Sequence, residues 1–450
     1  MSVLDCAVQV SPYRIDEAGL VLYRAGIDVV NVMCLENRST RSEPMQWLEL
    51  ESHLRLSPTV KISLLRRAIE GQPGNISLRI KLGDALLESS DFSGAAESYE
   101  VAARQSPRDF NTWPNLAGCY LRLNSPDAAL DACSRGEANG PTAAIHFVRA
   151  NAFLLQRRGE DARAALLAAI EPGDHHINWT QLAALTTLLT PMARQQEGGK
   201  LLDFCDSLAT VYRDTALVRA HKAIGLSRVG RVDEASEIMD IYRDVIQIPF
   251  EPPSEYGSIE QFNRILSDEI LAQPVPDMVT RNGTAFYRNP NFYRSRVAQT
   301  LRAFVRAAID EYIAQSARRG STMPSPPEYG FLGGASVILR GDGKNGEHIH
   351  GHSYVSSVYY AAVPGCVVEA PNERGALALG LCEQYTGGHI PCWGTRYIKP
   401  VAGSLVVFPS HVFHDVVPTH TDEARISIVM DLLPNLSGAS DMGEGWKVLE

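Results

Sequence analysis

The sequence predicts an α+β chain in two parts: an all-α solenoid of short helical repeats, then a β-sandwich or barrel braced by helices on one side. Three observations predict it. A 34-residue period runs through the first half, a proline-rich stretch breaks the helical pattern at 248–258, and short apolar runs punctuated by glycine and proline take over from Gly333. At 450 residues the chain is too long for one ordinary core. Its 45% hydrophobic and 21% charged residues are typical of a globular protein. The formal net charge of −10 argues against nucleic acid or an anionic membrane as the main partner. No apolar run is long enough to cross a bilayer, and the opening MSVLDCAVQVSPYR has no basic lead followed by an apolar segment, so a cytoplasmic setting is expected. The eight cysteines contain no C-x-x-C pair, which suits reduced, buried thiols rather than disulfides or a zinc site.

In the helical half, Pro73, Pro107 and Pro141 are each 34 residues apart. The same register relates Leu82 to Leu116, Gly83 to Ala117, Leu86 to Tyr120 and Ala95 to Ala129. Small residues at 83, 117, 95 and 129 let two antiparallel helices approach, larger ones fill the groove between them, and each proline stops a second helix. The middle unit, with Trp113, Leu116, Ala117, Tyr120, Ala129, Cys133 and Pro141, resembles the tetratricopeptide pattern. Residues 217–242 return to the register through Ala223, Leu226, Ala235 and Met239. Helical repeats are therefore expected over 58–247, after an N-terminal helical segment at 1–57. IPFEPPSEYGS, residues 248–258, is expected to be the linker, with the second domain at 259–450.

That second domain opens with two helical patterns, IEQFNRILSDEIL and SRVAQTLRAFVRAAIDEYIAQSA. The runs ASVILRG, YVSSVYYAAV, ALALGL, GSLVVFP and RISIVMDLL then read as strands. Histidines mark two of their ends. In GEHIHGHS, alternation along a strand puts His348, His350 and His352 on one face, where two imidazoles at i and i+2 can grip one metal ion. A further ligand must come from elsewhere, and FPSHVFHD offers His411 and His414. Eleven residues past His414 stand Arg425 and, two further on, Ser427. Open metal positions beside a fixed guanidinium describe a site for a metal and a dicarboxylate together. Tyr359 and Tyr360 alternate faces, so one packs in the core and the other can see that site; Asp415 is expected to point away from the metal.

The combination H-x-H (His348, His350), S-S-V-Y-Y (356–360), G-x-L-x-x-F-P-S (403–410), His414 and R-x-S (Arg425, Ser427) resembles a family of 2-oxoglutarate/Fe(II) oxygenases with a double-stranded β-helix, or jelly-roll, fold. The resemblance covers roughly residues 257 to 434. It implies Fe(II) held by His348, His350 and His414, the cosubstrates 2-oxoglutarate and O₂, and Arg425 with Ser427 on the far carboxylate of 2-oxoglutarate. No catalytic residue beyond the metal site is expected. The chain departs from the common H-x-D or H-x-E pattern, because position 350 is histidine. Either the three histidines form the metal face, or one histidine of the cluster ligates while water fills the carboxylate's place; His352 is the rival ligand.

The expected function is a 2-oxoglutarate-dependent hydroxylase acting on a peptide or protein side chain captured by the repeats. The alternatives are a small-molecule hydroxylase of the same chemistry and a repeat scaffold whose metal site does not turn over. A fragment starting near Glu251 is expected to hold metal and cosubstrate by itself.

Overall fold

The computed structural model describes residues 58–109, 112–171, 177–272, 278–279, 285–287, 295–326 and 330–434, so the expected segment at 1–57 lies outside the described residues. The chain divides into two compact units, Met1–Ala169 and Ile170–Glu450.

The first unit is helical: α1 (Pro58–Gly71), α2 (Ile76–Glu88), α3 (Phe92–Gln105), α4 (Thr112–Arg122), α5 (Pro126–Glu137), α6 (Ala143–Leu155) and α7 (Gly159–Ala169). Consecutive helices pack in antiparallel pairs, and Pro73, Pro107 and Pro141 fall just beyond α1, α3 and α5 as expected. Side-chain oxygens of Asn75, Asp91 and Thr142 accept backbone N–H groups at the starts of α2, α3 and α6. The small residue at the shared position has a visible cause. A Cβ on Gly83 would sit 2.6 Å from the Tyr99 ring, which fills the groove between α2 and α3. Leu82, Leu86, Ala95, Tyr99, Trp113, Leu116, Ala117, Ala129 and Cys133 form one buried cluster along the stack.

The second unit begins with helices too: α8 (Trp179–Arg194), α9 (Gly198–Ser207), α10 (Thr210–Arg213), α11 (Ala216–Arg228) and α12 (Val232–Ile238). The chain continues through β1 (Ile246–Pro249), a 3₁₀ turn at Ser254–Tyr256, α13 (Ile259–Leu271), β2 (Met278–Val279), β3 (Ala285–Tyr287) and α14 (Arg296–Ser316). Then come β4 (Gly330–Leu339), β5 (Val355–Ala362), α15 (Gly365–Val368), β6 (Leu377–Leu379), α16 (Glu383–Thr386), β7 (Arg396–Ile398), β8 (Ser404–Pro409), β9 (His414–Val416) and β10 (Arg425–Pro434). Two antiparallel sheets result, ordered β1-β8-β5-β10-β4-β3-β2 and β7-β6-β9. The expected succession of a helical repeat region and an antiparallel strand-rich region is thus the observed one.

The two faces of the large sheet follow from strand alternation. Even-numbered residues of β10, Ile426, Ile428, Met430 and Leu432, join Val355 and Tyr359 of β5 and Leu405 and Val407 of β8 in a core against Phe262, Leu266, Leu301, Val305 and Ile309 of α13 and α14. The odd-numbered residues Arg425, Ser427, Val429 and Asp431 therefore line the other face, which encloses a cavity.

The stretch 248–258 lies within the second unit. Its prolines end β1 rather than a domain, because Ile246–Pro249 pairs with Val407–Ser404 along the free side of β8. Helices α8 to α12 are tied to the strand region by direct hydrogen bonds. Leu217 N donates to Gly351 O at 3.3 Å, Arg194 Nε to Gln384 O at 2.8 Å, and Arg396 Nη1 to Ile241 O at 2.9 Å. Among the described residues no helix is long and apolar enough to cross a membrane.

Candidate active site

The three histidines singled out by spacing come together, and backbone pairing places them. His348 and His414 form a closed antiparallel bridge, N to O at 3.0 and 2.9 Å in the two directions. His350 N donates to Ser410 O at 3.1 Å, which keeps the i, i+2 partner on the same side. One ligand atom from each of His348, His350 and His414 lies within 4.8 Å of the other two. Ring centroids are 4.2 to 5.2 Å apart.

In each ring Nδ1 already has a partner. His348 Nδ1 faces Gly346 O at 2.7 Å, His414 Nδ1 faces Val412 O at 3.0 Å, and His350 Nδ1 faces Asp431 Oδ2 at 2.6 Å, with Ser356 Oγ at 3.0 Å. A carbonyl or carboxylate can only accept, so Nδ1 carries the proton in all three rings, which leaves the Nε2 lone pairs for a ligand. Burial depresses His348 to about 4, with neighbouring His350 adding to the effect, and pushes His414 well below the ordinary imidazole range. Both are neutral, as metal ligands must be. Burial acts downward on His350 too, but the charge and hydrogen bond of Asp431 outweigh it and raise the ring.

The other two histidines do something else. The expected alternation stops after His350: Ser353 N returns to His350 O at 2.9 Å, and this turn carries His352 out of the alternating register. His352 borders the cavity but packs, tilted, against Trp179 at the start of α8, centroids 4.4 Å apart. His411 is buried with Nε2 on Ile238 O at 2.8 Å, and burial pushes it to about 3. Asp415 accepts its own neighbour's amide, Val416 N, at 2.6 Å and takes no place in the histidine group.

Across the cavity Arg425 is 1% exposed, its guanidinium 4.9 Å above the Tyr360 ring. Its Nε and Nη2 are buried and have no hydrogen-bond partner among the described residues. An unmatched buried cation is costly, so the arrangement calls for an anion from solution. Ser427 lines the same wall two residues along β10. Of the two tyrosines, Tyr359 turns to the helices, its hydroxyl donating to Asn263 Oδ1 at 2.6 Å, and Tyr360 lies under the guanidinium.

The cavity holds about 230 Å³ and lies between the sheets, with β4, β5 and β10 on one side and β6 and β9 on the other. Its donor set, three converging imidazoles and an unmatched guanidinium, fits a divalent transition metal bridged to an oxyanion. Sequence reading missed Asp431. The signal was present, since Asp431 stands six residues from Arg425 and even spacing on a strand means a shared face.

Residues 336–431 match a family model described as "Putative 2OG-Fe(II) oxygenase", and residues 80–144 match one described as "Tetratricopeptide repeat". The chain thus contains a segment similar to that oxygenase family, preceded by one similar to tetratricopeptide repeats. A Pseudomonas putida prolyl-4-hydroxylase is similar at 16% identity over 46% of this chain and 99% of its own, with a TM-score of 0.30. A thermophilic tetratricopeptide protein of Thermus thermophilus is similar at 18% identity over 45% of this chain and 89% of its own, with a TM-score of 0.26. Scores of that size carry nothing about chemistry. No curated protein matches the chain.

Proposed function

We propose that the second unit is an Fe(II)- and 2-oxoglutarate-dependent hydroxylase whose substrate is a peptide or protein side chain brought by the repeats. The observation that carries the reading is the pairing, in one cavity, of three histidines whose ligand atoms lie within 4.8 Å of one another and a buried Arg425 with unmatched N–H groups. His348, His350 and His414 would hold the iron, and Arg425 with Ser427 would take the distal carboxylate of 2-oxoglutarate. The bound iron would supply activation of O₂ coupled to oxidative decarboxylation of 2-oxoglutarate to succinate, with one oxygen atom going into a C–H bond.

The chain's own residues bind, orient and exclude water. The carbonyls of Gly346 and Val412 and the Asp431 carboxylate fix the imidazole tautomers. Tyr360 supports the guanidinium from below, and Phe408 closes against His414 at 5.0 Å between centroids. The tetratricopeptide match supports the macromolecular substrate, since stacked helical pairs expose an extended concave face suited to a peptide. The test is anaerobic titration of Fe(II) and 2-oxoglutarate followed visibly, then succinate measured after O₂ is admitted. No charge-transfer band and no succinate would refute the assignment.

A further inference from the structure

We propose that Asp431 is a positioning residue that supplies, from behind His350, the negative charge this metal site lacks among its ligands. The inference rests on the three-histidine reading. Position 350 is histidine where a carboxylate would have given a metal face one negative charge. The carboxylate has not vanished from the site; it stands one hydrogen bond further out. Asp431 Oδ2 is 2.6 Å from His350 Nδ1, and the side chain is only 7% exposed. The same oxygen accepts from Ser353 Oγ at 3.3 Å, and Oδ1 is buried with no hydrogen-bond partner among the described residues. A carboxylate is not kept in such a place for solubility, because burying it costs several kcal/mol unless a cation or polarised N–H compensates.

Geometry separates this role from ligation. Asp431 is absent from the group whose ligand atoms lie within 4.8 Å of one another, and Oδ2 is turned to the imidazole. An imidazole donating Nδ1–H to a carboxylate is a stronger electron donor through Nε2, and its ring is held in one tautomer. The strand builds this directly. β10 places Arg425 toward one end of the cavity and Asp431 toward the other, six residues or about 20 Å apart along the backbone, with one charge for the oxyanion and the opposite charge for the metal.

The experiment uses full-length protein and Co(II) as the probe, with affinity from competition against a chelator and the visible Co(II) bands read alongside. Asp431→Asn keeps shape and an accepting oxygen but removes the charge. It should weaken Co(II) about 10- to 100-fold and shift the bands, with the melting temperature of the metal-free protein largely retained. Co(II) bound by Asp431→Asn with wild-type affinity and bands would overturn the proposal. Loss of all Co(II) from Asp431→Asn while His350→Ala still binds would also overturn it, by making Asp431 the ligand. Failure of wild-type protein to bind Co(II) at all would instead refute the three-histidine reading. Nitrogen-15 spectra of histidine-labelled, Zn(II)-loaded wild-type protein give a measurement that needs no variant: His350 should show a protonated Nδ1 with a strongly downfield proton, and an unprotonated Nδ1 would overturn the proposal.

Discussion

Replacing Arg425 by leucine separates a cosubstrate clamp from an ordinary strand arginine. In the structure the guanidinium is fully buried, two of its N–H-bearing nitrogens have no acceptor, and no carboxylate answers it among the described residues. Each charge-assisted hydrogen bond to a bound carboxylate is worth about 1.5–3 kcal/mol, so two of them give about 3–6 kcal/mol. At about 1.4 kcal/mol per tenfold, Arg425→Leu should weaken 2-oxoglutarate by about 10²- to 10⁴-fold. The ligand-free protein should behave in the opposite sense. Leucine loses the contact over Tyr360, worth about 1–2 kcal/mol, but removes a buried cation whose desolvation costs several kcal/mol. Its melting temperature should therefore hold or rise, while stabilisation by added 2-oxoglutarate disappears. Calorimetric titration with Mn(II) in place of iron, paired with thermal melts, reads both. A large fall in the ligand-free melting temperature with unchanged 2-oxoglutarate affinity would refute the reasoning, because it would make Arg425 structural.

His414→Ala should abolish metal binding, whereas His411→Ala and His352→Ala should keep most of it; equal loss in all three, by metal analysis after desalting, would discredit the ligand set. A fragment from Ile170 should fold, bind Fe(II) and 2-oxoglutarate and lose activity on the macromolecular substrate. One from Glu251 should be unstable, since it lacks β1 and helices α8 to α12, and a stable Glu251 fragment with normal cosubstrate affinity would contradict this. Acid should destabilise the metal-free protein through His221, which burial lowers from 6.5 to about 4. The unfolded chain binds the proton first, so His221 costs nothing above pH 6.5 and progressively more as pH falls toward 4, to a few kcal/mol. His221→Phe should make the pH dependence of urea-derived stability shallower over that window, with the other buried histidines supplying the rest, and an unchanged slope would exclude His221 as a source.

Much of the site was legible because its signals are local. A 34-residue repeat, H-x-H and R-x-S each survive as short-range patterns, and strand alternation converts the last into two side chains on one wall. What stayed hidden was set by tertiary contact. Nothing in GEHIHGHS reveals that Ser353 N turns back to His350 O, yet that bond decides that His352 leaves the register and meets Trp179. The choice between Tyr359 and Tyr360 likewise depended on Asn263, nearly a hundred residues upstream, which claims the Tyr359 hydroxyl. At 248–258 the composition of a linker was genuine, but prolines suit a strand end at a sheet edge as well as they suit a boundary. Local sequence cannot distinguish the two uses.

The helices at 179–238 show the same ambiguity with a functional consequence. Residues 217–242 return to the repeat register, so the sequence groups these helices with the solenoid, whereas their hydrogen bonds tie them to the strand region. Leu217 holds the Gly351 turn, where a Cβ on Gly351 would lie 3.2 Å from the Leu217 Cβ. Ile238 O occupies His411 Nε2, which turns that ring away from the group formed by His348, His350 and His414. Trp179 packs against His352, which stands outside the group of His348, His350 and His414. Contacts from these helices thus engage His411, His352 and the Gly351 turn beside the three converging histidines. On the proposed reading, a change that loosens α11 or the start of α8 would act on the three-histidine group without touching any of its members.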